Sequence, residues 1–120
     1  MTCILIVDDE HAAVHGLSSL LKLEGYVTVT AVSGADAIRR FREGQCNAVV
    51  TDLEMPVMNG VDVVREIMRT APQTPVFVVT GYPDSPACAV AKQLGTRHVF
   101  SKPVDYNALL EELARAGVLA

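Results

Sequence analysis

The chain has 120 residues, half of them apolar, with 10 Lys and Arg against 14 Asp and Glu for a net charge of -4. That length holds one domain with a real core and excludes two, and the acidic balance, with a pI near 5.2, argues against the basic stripe of a nucleic-acid surface. The first apolar run lacks a basic leader and stops at Asp8-Asp9-Glu10, too short and too abruptly acidic for a signal peptide or a membrane span.

Apolar runs rich in β-branched residues recur at 3–7, 27–32, 47–51, 75–79 and 97–100, and read as strands. Helix-length segments with their own punctuation lie between them. Asp9 is a candidate cap for a helix with the apolar stripe Val14, Leu17, Leu20 and Leu21, closed by Gly25. Ser33, with Asp36 three residues on, resembles a capping box for a helix using Ile38 and Phe41 and ended by Gly44. Asn59 opens a third helix, with Val61, Val64 and Met68 inward and Pro72 beyond its end. Ser85-Pro86 is a cap with proline at the first helical position, and Ala87, Val90, Ala91 and Leu94 form one face before Gly95. Asp105 caps the last helix, whose core side is Leu109, Leu110 and Leu113.

Five strands alternating with five helices imply an α/β fold with a parallel sheet covered on both faces. Right-handed crossovers make a doubly wound sheet of order 2-1-3-4-5 the expected topology, over a single domain spanning 1–120. Four polar patches then meet at the carboxyl edge of the sheet, where open α/β sheets build their sites. They are Asp8-Asp9, Asp52, Thr80 and Lys102-Pro103. The first and third strands are neighbours at the switch point, so Asp8, Asp9 and Asp52 converge.

Two like charges about 4 Å apart repel by roughly 4 kcal/mol at an effective dielectric of 20. Three carboxylates must therefore raise a pKa, bind a cation or point apart. Hard oxygen ligands with open positions suit Mg²⁺. Alone, Asp9 reads as a helix cap and Asp8 as a solvated carboxylate; Asp52 at a second strand end, followed by Met55-Pro56 and Asn59-Gly60, favours a site. Lys102 is a point charge for an ion pair or a phosphoryl oxygen, and its bond to Pro103 is a candidate cis peptide. Thr80, followed by Gly81, either ends a buried strand or turns its hydroxyl toward a bound anion.

Together these residues resemble, over essentially the whole chain, a response-regulator receiver domain of two-component signalling. The matching positions are Asp8-Asp9, the stretch Asp52-Leu-Glu-Met-Pro-Val-Met-Asn-Gly60, Thr80-Gly81 and Lys102-Pro103. The resemblance implies that Asp52 accepts a phosphoryl group from a phosphohistidine on a sensor histidine kinase or histidine phosphotransfer protein. It implies that Asp9, Asp52 and the backbone carbonyl of Glu54 hold Mg²⁺, with Asp8 acting mainly through water, and that Thr80 and Lys102 each bind a phosphoryl oxygen. Such a module is a signalling switch and not an enzyme in the ordinary sense, since it catalyses only its own phosphorylation and dephosphorylation. Its partner beyond the kinase is a downstream effector protein or domain, with no direct nucleic-acid or membrane contact. The signalling face lies on the fourth helix, last strand and last helix, which leaves open a homodimer through those elements. One position departs from the pattern: the aromatic expected three residues before the lysine is Val99, with Phe100 beside it. A one-residue shift on a strand turns a side chain to the other face, so Phe100 is expected in the core and Val99 at the would-be switch.

Other readings fit less well. A flavin-mononucleotide protein of the same topology needs an anion-binding loop after its first strand, where this chain has Asp8-Asp9-Glu10. A haloacid-dehalogenase-type phosphatase has Asp two residues after its nucleophile, where this chain has Glu54, and no cap domain fits the length. His11 and His15 are four apart on the first helix but have no third ligand nearby, and read as a solvated face; Arg39, Arg40 and Arg42 read the same way. His98 reads as structural, and Met55 and Met58 as gap-filling. Cys3, Cys46 and Cys88 are odd in number and widely spaced, with no metal spacing, as expected of reduced thiols in the cytoplasm. The alternative function is an accessory or degenerate receiver, a protein-interaction module that does not switch by phosphorylation.

Overall fold

The computed structural model describes residues 1–44 and 46–120. Its elements run β1 (Cys3–Val7), α1 (His11–Leu23), β2 (Val27–Ala31), α2 (Gly34–Glu43), β3 (Ala48–Asp52), α3 (Gly60–Thr70), β4 (Val76–Thr80), α4 (Pro86–Leu94), β5 (His98–Ser101) and α5 (Tyr106–Arg115). The five strands form one parallel sheet in the order β2-β1-β3-β4-β5. Fold class and order are those expected from the alternation of elements. The last three strands begin and end one residue later than the apolar runs suggest. The ladder continues into the polar patches, with Asp52 opposite Val79 and Thr80 opposite Ser101. Asp52 and Thr80 are thus the last residues of β3 and β4 and share the rigidity of the sheet.

The strands alternate their side chains between two cores, as the period of two requires. Leu5, Val7, Val49, Val76 and Val78 pack with Val63, Val64 and Ile67 of α3 and Ala91 of α4. On the opposite face Ile4, Ile6, Val50, Phe77 and Val79 pack with Leu21 of α1 and Leu109 and Leu113 of α5. Burying each such side chain contributes about 1.5–3 kcal/mol. The one-residue aromatic shift has the consequence expected of it. Phe100 is buried in the α1/α5 core, and Val99 is half-buried against the α3/α4 core.

Four of the five expected caps form. Ser33 Oγ, Asn59 Oδ1, Ser85 Oγ and Asp105 Oδ1 accept from the backbone N–H groups of Asp36, Asp62, Cys88 and Ala108, each worth about 1 kcal/mol. The capping box at Ser33 is half made, because the Asp36 carboxylate reaches forward to Arg39 and Arg40. Asp9 does not cap α1. The helix starts at His11, so the N-cap is Glu10, without a side-chain hydrogen bond, and the Glu10 N–H donates to Asp8 Oδ1 at 3.0 Å in a tight turn. Asp9 is left exposed at the strand end. The arginines of α2 lie in an exposed ion-pair lattice, with Arg39 on Glu43 at 2.9 Å and Arg42 on Glu66 of α3 at 2.8 Å. His98 is exposed and lays its ring 4.5 Å from that of Phe100. Cys3, Cys46 and Cys88 are free thiols. Burial, with Cys3 beside it, pushes the Cys46 thiol up to about 12, so its reactive thiolate is scarce.

Two glycines separate space from propensity. A Cβ on Gly60 would lie 2.0 Å from the Asp52 carbonyl oxygen and 2.6 Å from Leu53 Cα, backbone atoms that cannot step aside, whereas one on Gly16 meets nothing within 4 Å. Gly60→Ala should therefore cost about 3 kcal/mol by overpacking, while Gly16→Ala in mid-helix should gain up to about 1 kcal/mol. Urea unfolding of both variants checks this, and equal effects would show that the first turn of α3 is not wedged against β3.

Candidate functional site

Neighbouring parallel strands carry the acidic groups to one place. Val7 of β1 lies opposite Thr51 of β3, so the residues that follow, Asp8 and Asp52, are side by side. Asp8, Asp9 and Asp52 each offer a carboxylate oxygen, and these lie within 4.8 Å of one another. Asp52 is 2 % exposed and Asp8 8 %, while Asp9 is open to solvent. From the end of β5, the Lys102 ammonium reaches 3.1 Å from Asp52 Oδ2 and 3.3 Å from Asp8 Oδ2. The Lys102–Pro103 peptide bond is cis. Lys102 N–H donates to the Thr80 carbonyl at 2.8 Å, which ties the turn after β5 to the end of β4.

Asp52 is held from one side only. Its Oδ1 accepts the Glu54 N–H at 3.1 Å. Its Oδ2 is buried and makes no directional hydrogen bond, although the Lys102 ammonium is within ion-pair distance. The most buried carboxylate of the cleft therefore has one directional hydrogen bond and, on its other oxygen, only the Lys102 charge. Burial raises the Asp52 carboxyl to about 6, with Asp8 adding to the rise and the Glu54 N–H and Lys102 opposing it. Burial also works against the Lys102 ammonium, but the two carboxylates outweigh it and its pKa is raised. Near neutrality three carboxylates face one ammonium, an excess of two negative charges. Oxygen donors with that deficit fit one divalent cation such as Mg²⁺.

Thr80 is fully buried at the end of β4. Its hydroxyl accepts the Tyr82 N–H at 3.0 Å and donates to the carboxylate of Glu54. The expected swing toward an anion is thus not its resting position here. His11 and His15 are exposed and join no metal-ligating cluster among the described residues. Met55 is buried as a filler and Met58 packs near Gly34.

Three features escape a reading of the residues alone. The Glu54 side chain bridges β3 to β4, a contact without any spacing signal. Val57, a β-branched residue in the loop after β3, sits at φ 67, a left-handed conformation that costs such a side chain of order 1–3 kcal/mol. A groove of about 490 Å³ runs from Asp8 and Asp52 between α1 and α5, walled by Leu17, Leu20, Val104 and Tyr106. Leu20, expected in the core stripe, is 43 % exposed because it lines this groove.

The buried carboxylate has a thermodynamic consequence in metal-free protein. Folding raises the Asp52 pKa from 3.8 to about 6, so the native state binds this proton more tightly than the unfolded chain. The contribution of this group to stability is then fully present below pH 4 and is lost as pH rises through about 6. Asp52→Asn removes that loss and should be more stable than wild type at pH 7.5 by about 3 kcal/mol, with little difference at pH 4. Urea unfolding at both pH values in chelator checks this, and a difference that does not depend on pH would contradict it.

The geometry has close counterparts among known proteins. The family model for the response regulator receiver domain matches residues 4–114. The transcriptional regulatory protein GlrR of Escherichia coli is 34% identical over 110 residues, which is 92% of this chain and 25% of that protein. The response regulator protein TodT of Pseudomonas putida is 30% identical over 117 residues, 98% of this chain and 52% of the relative. The chain thus spans about a quarter to a half of the curated relatives it matches. A receiver domain protein from Clostridium thermocellum superposes with a TM-score of 0.90 at 30% identity, covering 97% of this chain and 94% of the other. The response regulator TrrA of Thermotoga maritima, solved in complex with Mg²⁺ and BeF, gives 0.84 at 27% identity, covering 97% and 99%. A sheet edge that gathers two buried aspartates, a threonine and a lysine, on a chain matched along nearly all its length, belongs to the response regulator receiver family.

Proposed function

We propose that this chain is the phospho-accepting module of a two-component phosphorelay, with Asp52 as the acceptor. The observation that carries the reading is the buried Asp52 Oδ2, without a hydrogen bond, beside the Asp8 and Asp9 carboxylates and the Lys102 ammonium. Asp52 Oδ2 attacks phosphorus in line, forming a P–O bond as the P–N bond of the donor phosphohistidine breaks, and the leaving imidazole takes up a proton. Phosphoryl transfer of this kind is catalysed mainly by positioning and charge. Asp9, Asp52 and the backbone carbonyl of Glu54 are the proposed holders of Mg²⁺, with Asp8 acting through water; the bound ion neutralises phosphoryl oxygens. Lys102, already at the carboxylate, exchanges its pairing with Asp52 for a phosphoryl oxygen, and the Thr80 hydroxyl supplies a further donor.

The proposed donor is a sensor histidine kinase or a histidine phosphotransfer protein, and the receiver of the signal is an effector protein or domain. Among the described residues no helix is long and apolar enough to cross a membrane; the proposed site of action is the cytoplasm. The face made by α4, β5 and α5 is the proposed signalling surface and the candidate surface for a homodimer. The module's only catalysis would be of its own phosphorylation and dephosphorylation. An accessory, phosphorylation-independent role draws on one observation, that Phe100 is locked in the core and leaves Val99 on the α4 side. The intact acidic cleft weighs against it.

Acetyl phosphate with Mg²⁺ should place one acid-stable, base-labile phosphoryl group on Asp52. Asp52→Asn should lose it, and Asp9→Ala should reduce labelling at least tenfold while keeping the fold. Mass spectrometry that locates the group on Asp8, Asp9 or a serine in wild type, or full labelling in excess chelator, would remove Asp52 or the metal from the mechanism. No labelling of wild type at all would favour the accessory role.

A further inference from the structure

The Glu54 side chain turns away from the cleft its backbone is expected to serve and crosses from the end of β3 to the end of β4. There Oε2 accepts the Thr80 hydroxyl and Oε1 accepts the Gly81 N–H at 2.9 Å. A threonine hydroxyl has one proton to give, and here it is committed to Glu54. The hydroxyl oxygen is also engaged, by the Tyr82 N–H at 3.0 Å. Thr80 is fully buried while Glu54 and Gly81 are exposed, so the contact lies at the boundary between the sheet end and solvent, and the Thr80 hydroxyl can leave Glu54 only for another acceptor. One O–H and one N–H donor converge on two oxygens of a single anion, which is the pattern an oxyanion of a phosphoryl group takes up.

We infer that the Glu54 carboxylate is a positioning residue: an internal anion that holds the Thr80–Gly81 donor pair and must be displaced before a phosphoryl group on Asp52 can use it. The inference rests on the acceptor role proposed for Asp52 and adds a regulation to it. The unphosphorylated state is latched by a negative charge supplied from the same loop, two residues beyond the acceptor. Phosphorylation exchanges one anion for another at the Thr80 hydroxyl, so the threshold of the switch is set by how well Glu54 competes. A neutral side chain there lowers the threshold.

The test measures equilibrium binding of beryllium fluoride with saturating Mg²⁺, followed by amide chemical shifts, in wild type, Glu54→Ala, Glu54→Gln, Thr80→Ala and the double variant Glu54→Ala/Thr80→Ala. Glu54→Ala should bind about fivefold to tenfold tighter than wild type, and Glu54→Gln, which keeps an acceptor without the charge, should fall between. In the Thr80→Ala background the same Glu54→Ala change should alter affinity less than about twofold, because coupled groups fail to add. A structural readout needs no ion: the Gly81 amide should move upfield and exchange faster in Glu54→Ala. Unchanged or weaker binding by Glu54→Ala overturns the latch, as does an equal gain in both backgrounds, which would reduce Glu54 to a general charge. Asp52→Asn serves as the control for the underlying reading. If it binds as wild type does, or wild type forms no adduct, the acceptor role falls and the latch with it. If the adduct forms on Asp52 and ignores Glu54, the latch alone is lost.

Discussion

The pairing of the Lys102 ammonium with the buried carboxylates of Asp52 and Asp8, at 3.1 and 3.3 Å, is what allows the carboxyl edge of this sheet to exist. Two carboxylates taken out of water on adjacent strands repel strongly, and removing one partner from such a buried set leaves an uncompensated charge. One lysine does not balance three acids, and burial first, with Asp8 adding to it, raises the Asp52 carboxyl. The edge therefore carries uncompensated negative charge, and the same imbalance that makes Asp52 an unfavourable buried residue makes the edge a fit for a divalent cation.

That arrangement depends on the backbone being fixed independently of the site. Both faces of the sheet are covered, and β1 and β3 are locked in register by neighbours on either side. Asp52 and Thr80, as last residues of their strands, move only if the ladder frays or the following loops turn. The loop after β3 has little freedom. Gly60 N–H donates to the Leu53 carbonyl at 3.0 Å, and its missing Cβ lets α3 press on Asp52 and Leu53. Val57, in the same loop, is held in a left-handed conformation. The segment after β4, where Gly81 and Tyr82 are exposed, carries no comparable wedge against the sheet.

Much of this was legible in the residues. The order of the strands followed from alternation and handedness, and Asp8, Asp9, Asp52, Thr80 and Lys102 all lie at the carboxyl edge because each closes or follows an apolar run. Four helix caps were readable because a short polar side chain three residues before an N–H has one obvious use. Asp9 failed as a cap because α1 starts at His11 and puts Glu10 at the N-cap, a one-residue displacement of the helix start that composition does not reveal. Leu20 fits the helical period yet faces a groove, since the period gives a face and not what covers it. The Glu54 contact spans 26 residues and two strands, and no local rule connects them.

The Phe100 shift shows how a single register position reshapes what the rest can do. With the aromatic on the α1/α5 side and Val99 on the α3/α4 side, the α4 face receives a β-branched residue with one side-chain torsion and little area to bury or expose. Driving two states from 1:99 to 99:1 takes about 5.5 kcal/mol of differential interaction, more than the movement of one valine supplies. On the proposed mechanism the difference comes from polar groups that change partners: Lys102 leaving a carboxylate for a phosphoryl oxygen, and Thr80 leaving Glu54 for another. Both exchanges act on the ends of β4 and β5, which Lys102 N–H already joins through the Thr80 carbonyl. The proposed switch, built on hydrogen-bond exchange between two neighbouring strand ends, does not require a swinging ring, and in this chain the ring is buried in the α1/α5 core.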